Sequence, residues 1–281
     1  MSSTNITFLV FTYNEKRRIE PMLRCLQGHG TVVVIDNYSS DNTIEIARKY
    51  TNEIYQHKNI GYVENEPTMD FALGKIRTRW AYLAFVDELI PRSLMELLEK
   101  VAAEDRYDIV EIYRQNFMYG QKVFNYGKHH IRMFVKDCVD FRGNIVHKRG
   151  KYKVGSDRIL RIPKRANTSI WHFSSYNTDR LELTHNRYAN LEAQQRHEML
   201  GQKFSGARAL FKLPFYFFGT YIGLGGFRGG WPGFFISLQI AYYKFSIESR
   251  LWELDNGVSL ESIERRYDLL KEQLLSEYVG P

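Results

Sequence analysis

The chain has little cysteine. Cys25 and Cys138 are the only two cysteines in 281 residues, and they form no CxxC spacing. Two isolated cysteines give neither a disulfide framework nor a cysteine-based metal site, so we expect reduced thiols in a cytoplasmic protein. The first residues already show the pattern of a strand, and we therefore expect no signal peptide.

The sequence also lacks nucleic-acid-binding motifs and metal-binding histidine spacings. The formal net charge is +7, which suits anionic partners such as nucleic acid, phosphorylated molecules or an anionic membrane. No RNP-like or zinc-finger pattern accompanies that charge, so we expect no nucleic-acid binding. The eight histidines show no spacing such as HExxH, and each of them, taken alone, is interpreted as structural.

Long apolar runs are missing as well, although aromatic residues make up 15% of the chain and crowd into its second half. Around residues 210–245 they form charge-free runs on either side of Arg228, both shorter than the ~20 apolar residues of a spanning helix. Glycines and Pro232 interrupt the middle. The sequence therefore predicts no spanning pair and leaves two alternatives, an interfacial hairpin on a membrane and a buried helix pair packed on the sheet.

Residues 5–110 alternate short apolar runs with helical patterns. This alternation is typical of a mainly parallel sheet covered by helices on both faces. We predict strands at Ile6–Phe11, Val32–Ile35, Ile54–Gln56, Tyr82–Val86 and Ile109–Tyr113, and helices at Ile19–Leu26, Asn42–Tyr50, Met69–Ile76, Pro91–Ala103 and Leu260–Ser276. Short strands and hairpins are expected to about residue 175 and helices beyond, which gives two predicted domains, 1–175 and 176–281.

Polar residues follow three of the predicted strands where each strand ends. They are Thr12, Asn14 and Glu15 after the first strand, Asp36 and Asp41 after the second, and Asp87 after the fourth. Ligands of open α/β sheets bind at the carboxyl ends of the strands. A carboxylate such as Asp87 can hold a divalent cation that bridges two phosphates. The sequence therefore predicts one nucleotide-type pocket along this edge, while the neighbouring Glu88 is interpreted as a helix-capping acid.

Four basic residues fall in the predicted hairpin region, namely Arg114, Lys128, Arg132 and Lys136. A leaving diphosphate needs positive charge, and an arginine can bind it with two parallel hydrogen bonds. The alternative is a solvated basic face. Arg132 lies between apolar neighbours, so we expect it to point inward.

Together these residues resemble the family 2 glycosyltransferases with the GT-A fold, and within that family the bacterial enzymes that extend lipopolysaccharide core and related surface glycans. The resemblance covers nearly the whole chain in the same order. Its segments are TYNEKRRIEPML, VVVIDNYSSDNTIEIARKY, FVDELIP, the RQNFMYG…IRMF block, IVHKRG, IWHFSSYNTDRLELTHNRYANLEAQ and YIGLGGFRGGWPGFFISLQIAYYKF. The resemblance implies a GT-A (Rossmann-like) α/β domain followed by a helical, aromatic-rich C-terminal region.

The same resemblance implies an inverting transfer of a hexose or heptose from a nucleotide diphosphate sugar, a UDP-sugar in the first instance, to a hydroxyl of a glycan or lipid-linked acceptor. The implied roles are a nucleotide site lined by Thr12, Asn14, Glu15 and Asp41, base or ribose contact by Asp36, a metal–diphosphate contact by Asp87 with Mg²⁺ or Mn²⁺, and acceptor or phosphate contact by Arg132. The implied location is cytoplasmic, peripheral on the inner face of the cell membrane.

The general base is the open role in this mechanism. Asp140 is our named candidate, and Glu111, Asp157 and a neutral His147 are the other residues considered. Many relatives have Val-His-Glu where this chain has Val146-His147-Lys148. A lysine with the ordinary pKa of about 10.4 is protonated at neutral pH and cannot accept a proton.

A second departure concerns the acidic metal motif, which in the family is usually Asp-x-Asp-Glu. Aligned on Asp87 and Glu88, the first acid is replaced by Phe85, whereas the second acid, which contacts the metal in the family, is kept as Asp87. Phe85 and Lys148 together motivate an alternative, a catalytically inactive relative that binds a nucleotide sugar or glycan without transferring it.

Overall fold

A computed structural model describes residues 5–60, 64–142 and 150–278. The strands are β1 (Ile6–Thr12), β2 (Thr31–Asp36), β3 (Ile54–Gln56), β4 (Trp80–Phe85), β5 (Glu88–Leu89), β6 (Ile109–Met118), β7 (Gln121–Lys122), β8 (His129–Val135), β9 (Val139–Asp140), β10 (Lys151–Tyr152), β11 (Ile159–Arg161) and β12 (Ile170–Phe173). The helices are α1 (Ile19–Leu26), α2 (Thr43–Ala47), α3 (Glu66–Leu73), α4 (Arg92–Ala103), α5 (Thr178–Leu200), α6 (Gly206–Phe218), α7 (Gly230–Asp255) and α8 (Leu260–Ser276).

Ten strands form one mixed sheet in the order β3-β2-β1-β4-β8-β6-β12-β5, with β7 and β11 paired to β6. The first four strands of this order are parallel, as are β6, β11 and β12. Strand β8 runs antiparallel to both of its neighbours. The predicted α/β class, with a mainly parallel sheet, flanking helices and a helical C-terminal region, is confirmed.

Local signals explain where the helices begin and end. The predicted helix Met69–Ile76 begins three residues earlier, at Glu66, because the Asn65 side chain accepts a hydrogen bond from the Thr68 amide and caps it. The second predicted helix is shorter than expected and covers only Thr43–Ala47. Element types were therefore predicted better than their ends.

Two apolar layers hold the sheet in place. Alternate residues of β1 point to opposite faces, so Phe8 and Val10 join the core under α1 and α4, while Leu9 joins the core under α3. Each such fully buried side chain contributes roughly 1.5–3 kcal/mol to folding. This packing fixes the level at which neighbouring strands end.

The chain divides into two compact units, residues 1–180 and residues 181–281. In the second unit α6 and α7 pack along each other, and α5 and α7 share a small core of Ala189, Ala193, Tyr243, Ile247 and Leu251. Within the described ranges, every helix is too short or too polar to cross a bilayer.

Candidate functional site

Strand register brings the predicted polar residues to one edge of the sheet. Thr12 pairs with Asp36, and Phe11 pairs with Phe85, the last residue of β4. Asp87 follows two residues later, and its carbonyl accepts a hydrogen bond of 2.8 Å from the Phe173 amide at the end of β12. The carboxyl ends of β1, β2, β4 and β12 therefore lie together, as the sequence predicted for the first three.

Two loops at this edge brace each other. The Asn14 amide donates to Ser39 Oγ at 2.8 Å, and Asn14 Oδ1 accepts from the Ser40 amide at 2.8 Å. Asn14 has a φ of 52°, a left-handed conformation that asparagine tolerates better than most residues. The Glu15 amide donates to Thr43 Oγ1 at 2.7 Å. These bonds hold the loops after β1 and β2 as one wall.

Asp41 belongs to the same wall. Its carboxylate accepts hydrogen bonds from the Thr43 amide at 3.0 Å and from the Lys16 amide at 3.3 Å. Burial alone would raise the pKa of Asp41, but the bonds from Thr43 and Lys16 lower it below its usual value. Asp41 is therefore ionised at neutral pH and joins the two loops.

Asp36 is fully buried, and its carboxylate accepts bonds from its own turn. Oδ2 accepts from the Ser39 amide at 2.9 Å, and Oδ1 accepts from Ser39 Oγ at 2.5 Å. In this arrangement Asp36 shapes the turn that carries Ser39. Asp36 lies at the edge of the sheet that the sequence predicted. Its contacts, however, are to Ser39 of the same turn, which is a structural role beside the predicted contact to a base or ribose.

Asp87 stands at the centre of a charged cluster. Its Oδ2 lies 3.2 Å from His172 Nε2, and the fields of Arg18 and Arg114 also act on it. Burial would raise the pKa of this carboxyl, but the charge of a protonated His172 and the charges of Arg18 and Arg114 hold it well below its ordinary range. Asp87 is therefore a carboxylate at any physiological pH.

The proton on His172 can be placed from its second contact. His172 Nδ1 lies 2.7 Å from Asn116 Oδ1, and the Asn116 amide nitrogen donates to the Tyr126 carbonyl at 2.5 Å. Because that carbonyl can only accept, Asn116 presents its oxygen to His172, and Nδ1 must carry the proton. Burial, assisted by the charge of Arg114, lowers the pKa of His172 and favours the neutral ring. In the neutral ring the lone pair of Nε2 faces Asp87, and Arg18 and Arg114 are then the positive charges that favour the Asp87 carboxylate.

Two lone pairs aimed at each other form a site that suits a cation. Ligand atoms of Asp87, Glu88 and His172 lie within 4.8 Å of one another. Glu88 Oε2 is buried and has no hydrogen-bond partner among residues 5–60, 64–142 and 150–278. Carboxylate oxygens with one imidazole nitrogen suit a divalent cation such as Mn²⁺ or Mg²⁺. The residues present therefore fit the predicted metal, with His172 as an unpredicted third donor.

Arg132 points inward as expected, but its contacts differ from the predicted acceptor or phosphate contact. It is fully buried, lies 2.5 Å from Glu88 Oε1, donates to the Leu83 carbonyl at 3.2 Å and sits 4.7 Å above the Phe85 ring. Glu88, interpreted from the sequence as a cap, is instead its buried counter-ion. The interpretation failed because the partner comes from β8, 44 residues away along the chain.

Asp140, the named candidate for the base, has its contacts elsewhere. Arg142 binds both of its oxygens, at 2.9 and 2.8 Å, and lowers its pKa. It lines a cavity of about 350 Å³ with Glu66 and Asp70 of α3. A carboxylate held in this way is a poor proton acceptor, and no contact joins Asp140 to Asp87 in the described part of the chain.

Of the other base candidates, Glu111 and Asp157 lie within the described residues. Glu111 is bonded to Arg161 and Tyr152, and it precedes Asn116 on β6 by five residues, about 17 Å along a strand. Asp157 lies in a short 3-10 turn before β11. His147 and Lys148 lie outside the described residues.

Two arginines act on Asp87, and sequence reasoning named Arg114 as a candidate for the diphosphate but missed Arg18. Arg18 forms an ion pair with Glu15, lies 5.7 Å from the centre of the Tyr176 ring and acts electrostatically on Asp87. Arg114 lies 3.7 Å from Glu88. Arg18 follows the predicted loop by only three residues, so its proximity to Glu15 was a usable signal, whereas nothing local marks Tyr176.

Comparison with known proteins finds a relative in Rickettsia typhi, described as an uncharacterized glycosyltransferase. It is 25% identical over 260 residues, covering 89% of this chain and 87% of the relative. A second uncharacterized glycosyltransferase, from Rickettsia conorii, is 23% identical over 276 residues, covering 88% of this chain and 90% of the relative.

Solved structures are similar at lower identity. S. aureus TarS residues 1–349 in complex with UDP-GlcNAc is 14% identical, with a TM-score of 0.44 over 91% of this chain and 93% of that chain. A mannosyltransferase from Pyrobaculum calidifontis in complex with GDP-Man and Mn²⁺ is 14% identical, with a TM-score of 0.43 over 98% of this chain and 81% of that chain.

A family model gives the assignment. The model described as glycosyl transferase family 2 matches residues 7–161, more than half of the chain. The matched range contains both braced loops, Asp87, Glu88 and the Arg132 partner of Glu88. This chain therefore belongs to glycosyl transferase family 2 and is a GT-A glycosyltransferase that transfers a sugar from a nucleotide sugar.

Proposed function

We propose that this enzyme transfers a hexose or heptose, with inversion, from a nucleotide diphosphate sugar to a hydroxyl of a surface-glycan or lipid-linked acceptor. The observation that carries the proposal is the grouping of ligand atoms from Asp87, Glu88 and His172 within 4.8 Å of one another at the carboxyl edge of the sheet. A UDP-sugar is the donor class that we propose first, from the resemblance of the sequence.

The braced loops form the donor side of the proposed site. Thr12, Asn14, Glu15 and Asp41 hold the backbone of this wall in one shape, so that it is preorganised before a nucleotide arrives. The Asp36 carboxylate is available to a base or ribose only by exchanging its bonds to Ser39. We propose that only the Ser39 turn adjusts when the donor binds, whereas the bonds from Glu15 to Thr43 and from Lys16 to Asp41 keep the rest of the wall in place.

Asp87, His172 and Glu88 are the residues that would hold the divalent cation. When bound, the cation would supply positive charge that stabilises a leaving diphosphate. Arg18 and Arg114 add fixed positive charge around Asp87. Arg132 forms a buried ion pair with Glu88 and fixes its position, so it is a positioning residue in this proposal.

The acceptor hydroxyl needs a base, and among the named candidates we propose His147. Asp140 and Glu111 are each held in an ion pair by an arginine, so neither is a free carboxylate. A neutral imidazole has an ordinary pKa of about 6.5 and can accept a proton at neutral pH. We also propose that the enzyme works beside the inner face of the cell membrane, where a lipid-linked acceptor is held.

The test is a thermal-shift and donor-hydrolysis panel of nucleotide sugars, with and without Mn²⁺ or Mg²⁺, for wild type and Asp87→Asn. We expect one donor to stabilise the wild type and to be hydrolysed slowly, both only with metal, and both effects to be lost in Asp87→Asn. Asp268→Asn, at an exposed position of α8, is the matched control and should behave as wild type. Absence of binding by every nucleotide sugar would contradict the donor site.

A second candidate function is that of an inactive relative, and Phe85 favours it. Phe85 occupies the position of the first acid of the Asp-x-Asp-Glu motif. Its ring stacks on Phe11 with centroids 5.8 Å apart and lies against Arg132. An inactive protein would bind a nucleotide sugar without hydrolysing it. Metal-dependent hydrolysis in the panel above would exclude this alternative.

A further inference from the structure

Helix α6 is amphipathic in the reverse sense of a helix in a water-soluble protein. Leu210, Phe211, Phe215 and Phe218 are exposed on its outer side. Its cations turn inward instead, since Arg208 Nε and Lys212 Nζ both reach the fully buried Glu248 Oε1 of α7, at 2.7 and 2.6 Å. A surface helix normally buries its apolar face and exposes its charges.

Helix α7 also exposes an apolar face, although its buried side is largely apolar as well. Trp231, Phe235, Leu238 and Tyr242, spaced four, three and four residues apart, are exposed on one face. Its buried side carries Ile236, Ile240 and Ile247 together with two polar residues, Glu248 and Ser237, and Ser237 donates to the Gly233 carbonyl at 2.8 Å. Across residues 210–242, eleven large apolar side chains are exposed, far more than isolated surface residues would explain.

The charge around this surface has one sign. Residues 203–244 contain five cations and no acid, although acids make up 32 of the 281 residues. Three of the cations, Arg208, Lys212 and Lys244, pair with buried carboxylates inside the unit. Arg228 is exposed between Phe227 and Trp231 and has no ion-pair partner within the described ranges. The surface is thus apolar and aromatic with an available positive charge.

We propose that the outer faces of α6 and α7, called here the aromatic face (residues 210–242), dock on an anionic lipid membrane. An inward-facing set of cations on α6, and apolar residues on both the exposed and the buried faces of α7, suit helices that lie against lipid. Aromatic rings and arginine suit the boundary between headgroups and acyl chains, and neither helix qualifies to cross a bilayer. The proposed lipid-linked acceptor explains why the enzyme would bind a membrane. The evidence for binding is the set of exposed apolar residues and does not depend on that acceptor.

A second copy of this chain fits the aromatic face less well. Two such faces brought together by a two-fold axis would bring two Arg228 side chains into the interface, where residues 203–244 offer no acid to pair with them. Anionic headgroups supply that counter-charge. The net charge of +7 acts in the same direction.

The experiment compares sedimentation with vesicles for wild type and the variant Phe211→Ser/Phe215→Ser/Trp231→Ser. These side chains are 74%, 69% and 70% exposed, so the changes remove little internal packing. The matched control is Leu260→Ser/Leu269→Ser/Leu270→Ser on α8, where the side chains are 76%, 69% and 60% exposed. Vesicles are phosphatidylethanolamine with phosphatidylglycerol, or phosphatidylcholine alone, at low and high salt.

We expect the wild type and the α8 variant to sediment with anionic vesicles, and the aromatic-face variant to bind at least about tenfold more weakly. Arg228→Gln should weaken binding to anionic vesicles about fivefold and leave binding to phosphatidylcholine unchanged. Equal binding by wild type and the aromatic-face variant, or no binding to any vesicle, would overturn the proposal. A wild-type dimer in light scattering that becomes a monomer in the aromatic-face variant would assign the face to a second copy.

The proposed function and this inference fail separately. Circular dichroism checks that the variants fold, and hydrolysis of a soluble donor should be the same in the aromatic-face variant as in wild type. A protein that sediments with anionic vesicles through the aromatic face but neither binds nor hydrolyses any nucleotide sugar would refute the proposed donor site and keep the membrane contact.

Discussion

Asn116 determines which nitrogen of His172 is free. Its oxygen accepts the Nδ1 proton at 2.7 Å, and the lone pair of Nε2 is thereby directed at Asp87. Partners of this kind orient metal-binding histidines and typically change metal affinity 10–100-fold when removed. We expect Asn116→Ala to weaken Mn²⁺ binding by about 10–100-fold, measured by the electron paramagnetic resonance signal of free Mn²⁺.

Asn125→Ala is the control for this variant, because Asn125 is an exposed asparagine nearby in the chain that bonds to Lys164. It should bind Mn²⁺ as wild type does. Unchanged Mn²⁺ affinity in Asn116→Ala, with the protein folded, would show that His172 is not a ligand and that its contact with Asp87 is structural.

Arg132 and Glu88 form a buried pair whose partners depend on each other. Both side chains are almost completely buried, and Arg114 lies farther from Glu88, at 3.7 Å. Removing one member of such a pair leaves an uncompensated buried charge, which costs about 3–5 kcal/mol. We expect Arg132→Met to lower the free energy of unfolding by that amount in urea denaturation, and Arg132→Met/Glu88→Gln to recover part of it.

An exposed pair gives the comparison for Arg132. Arg92 lies 2.9 Å from Glu96 on the outside of α4, and Arg92→Met should change stability by no more than about 0.5 kcal/mol. If Arg132→Met were as mild as Arg92→Met, Glu88 would have to be neutral or rescued by Arg114.

At the scale of elements, the sequence was enough to predict β1, β2, β4, α1 and α4. Each of them has its own spacing of apolar residues and its own residues that favour a start or an end. The carboxyl edge followed from the same pattern, which is why Thr12, Asp36 and Asp87 were found together. The antiparallel course of β8 did not follow, since it depends on how β6 and β8 meet in space.

His172 shows what the sequence could not reveal. It reaches Asp87 across 85 residues because β12 inserts between β6 and β5, and no local spacing records that insertion. Glu88 was misread for a similar reason, since its partner lies on β8. Side chains brought in by strand pairing are thus the part of the site that required the structure, whereas side chains at the ends of successive βα units did not.

At the scale of the whole molecule, the chain has two compact units, and the second holds a buried charge of its own. Burial alone would raise the pKa of Glu248, but bonds from Arg208 and Lys212 hold it below its ordinary value. A carboxyl whose pKa is lower in the folded state binds fewer protons there than in the unfolded chain, so its stabilisation is complete above the ordinary pKa. That stabilisation is lost as the pH falls through the pKa of the folded state.

We therefore expect Glu248→Gln to destabilise the second unit by about 1–3 kcal/mol near neutral pH, because Arg208 and Lys212 lose their charged partner. The variant should also lose less stability than the parent when the pH falls below about 4.5. Urea unfolding followed by tryptophan fluorescence measures both, in a background of Trp80→Phe and Trp171→Phe, so that Trp231 and Trp252 of the second unit report alone. Parallel stability curves for Glu248→Gln and its parent between pH 6 and pH 3 would contradict the lowered pKa. They would also weaken the case that α6 turns its charges inward, since that arrangement depends on an ionised Glu248.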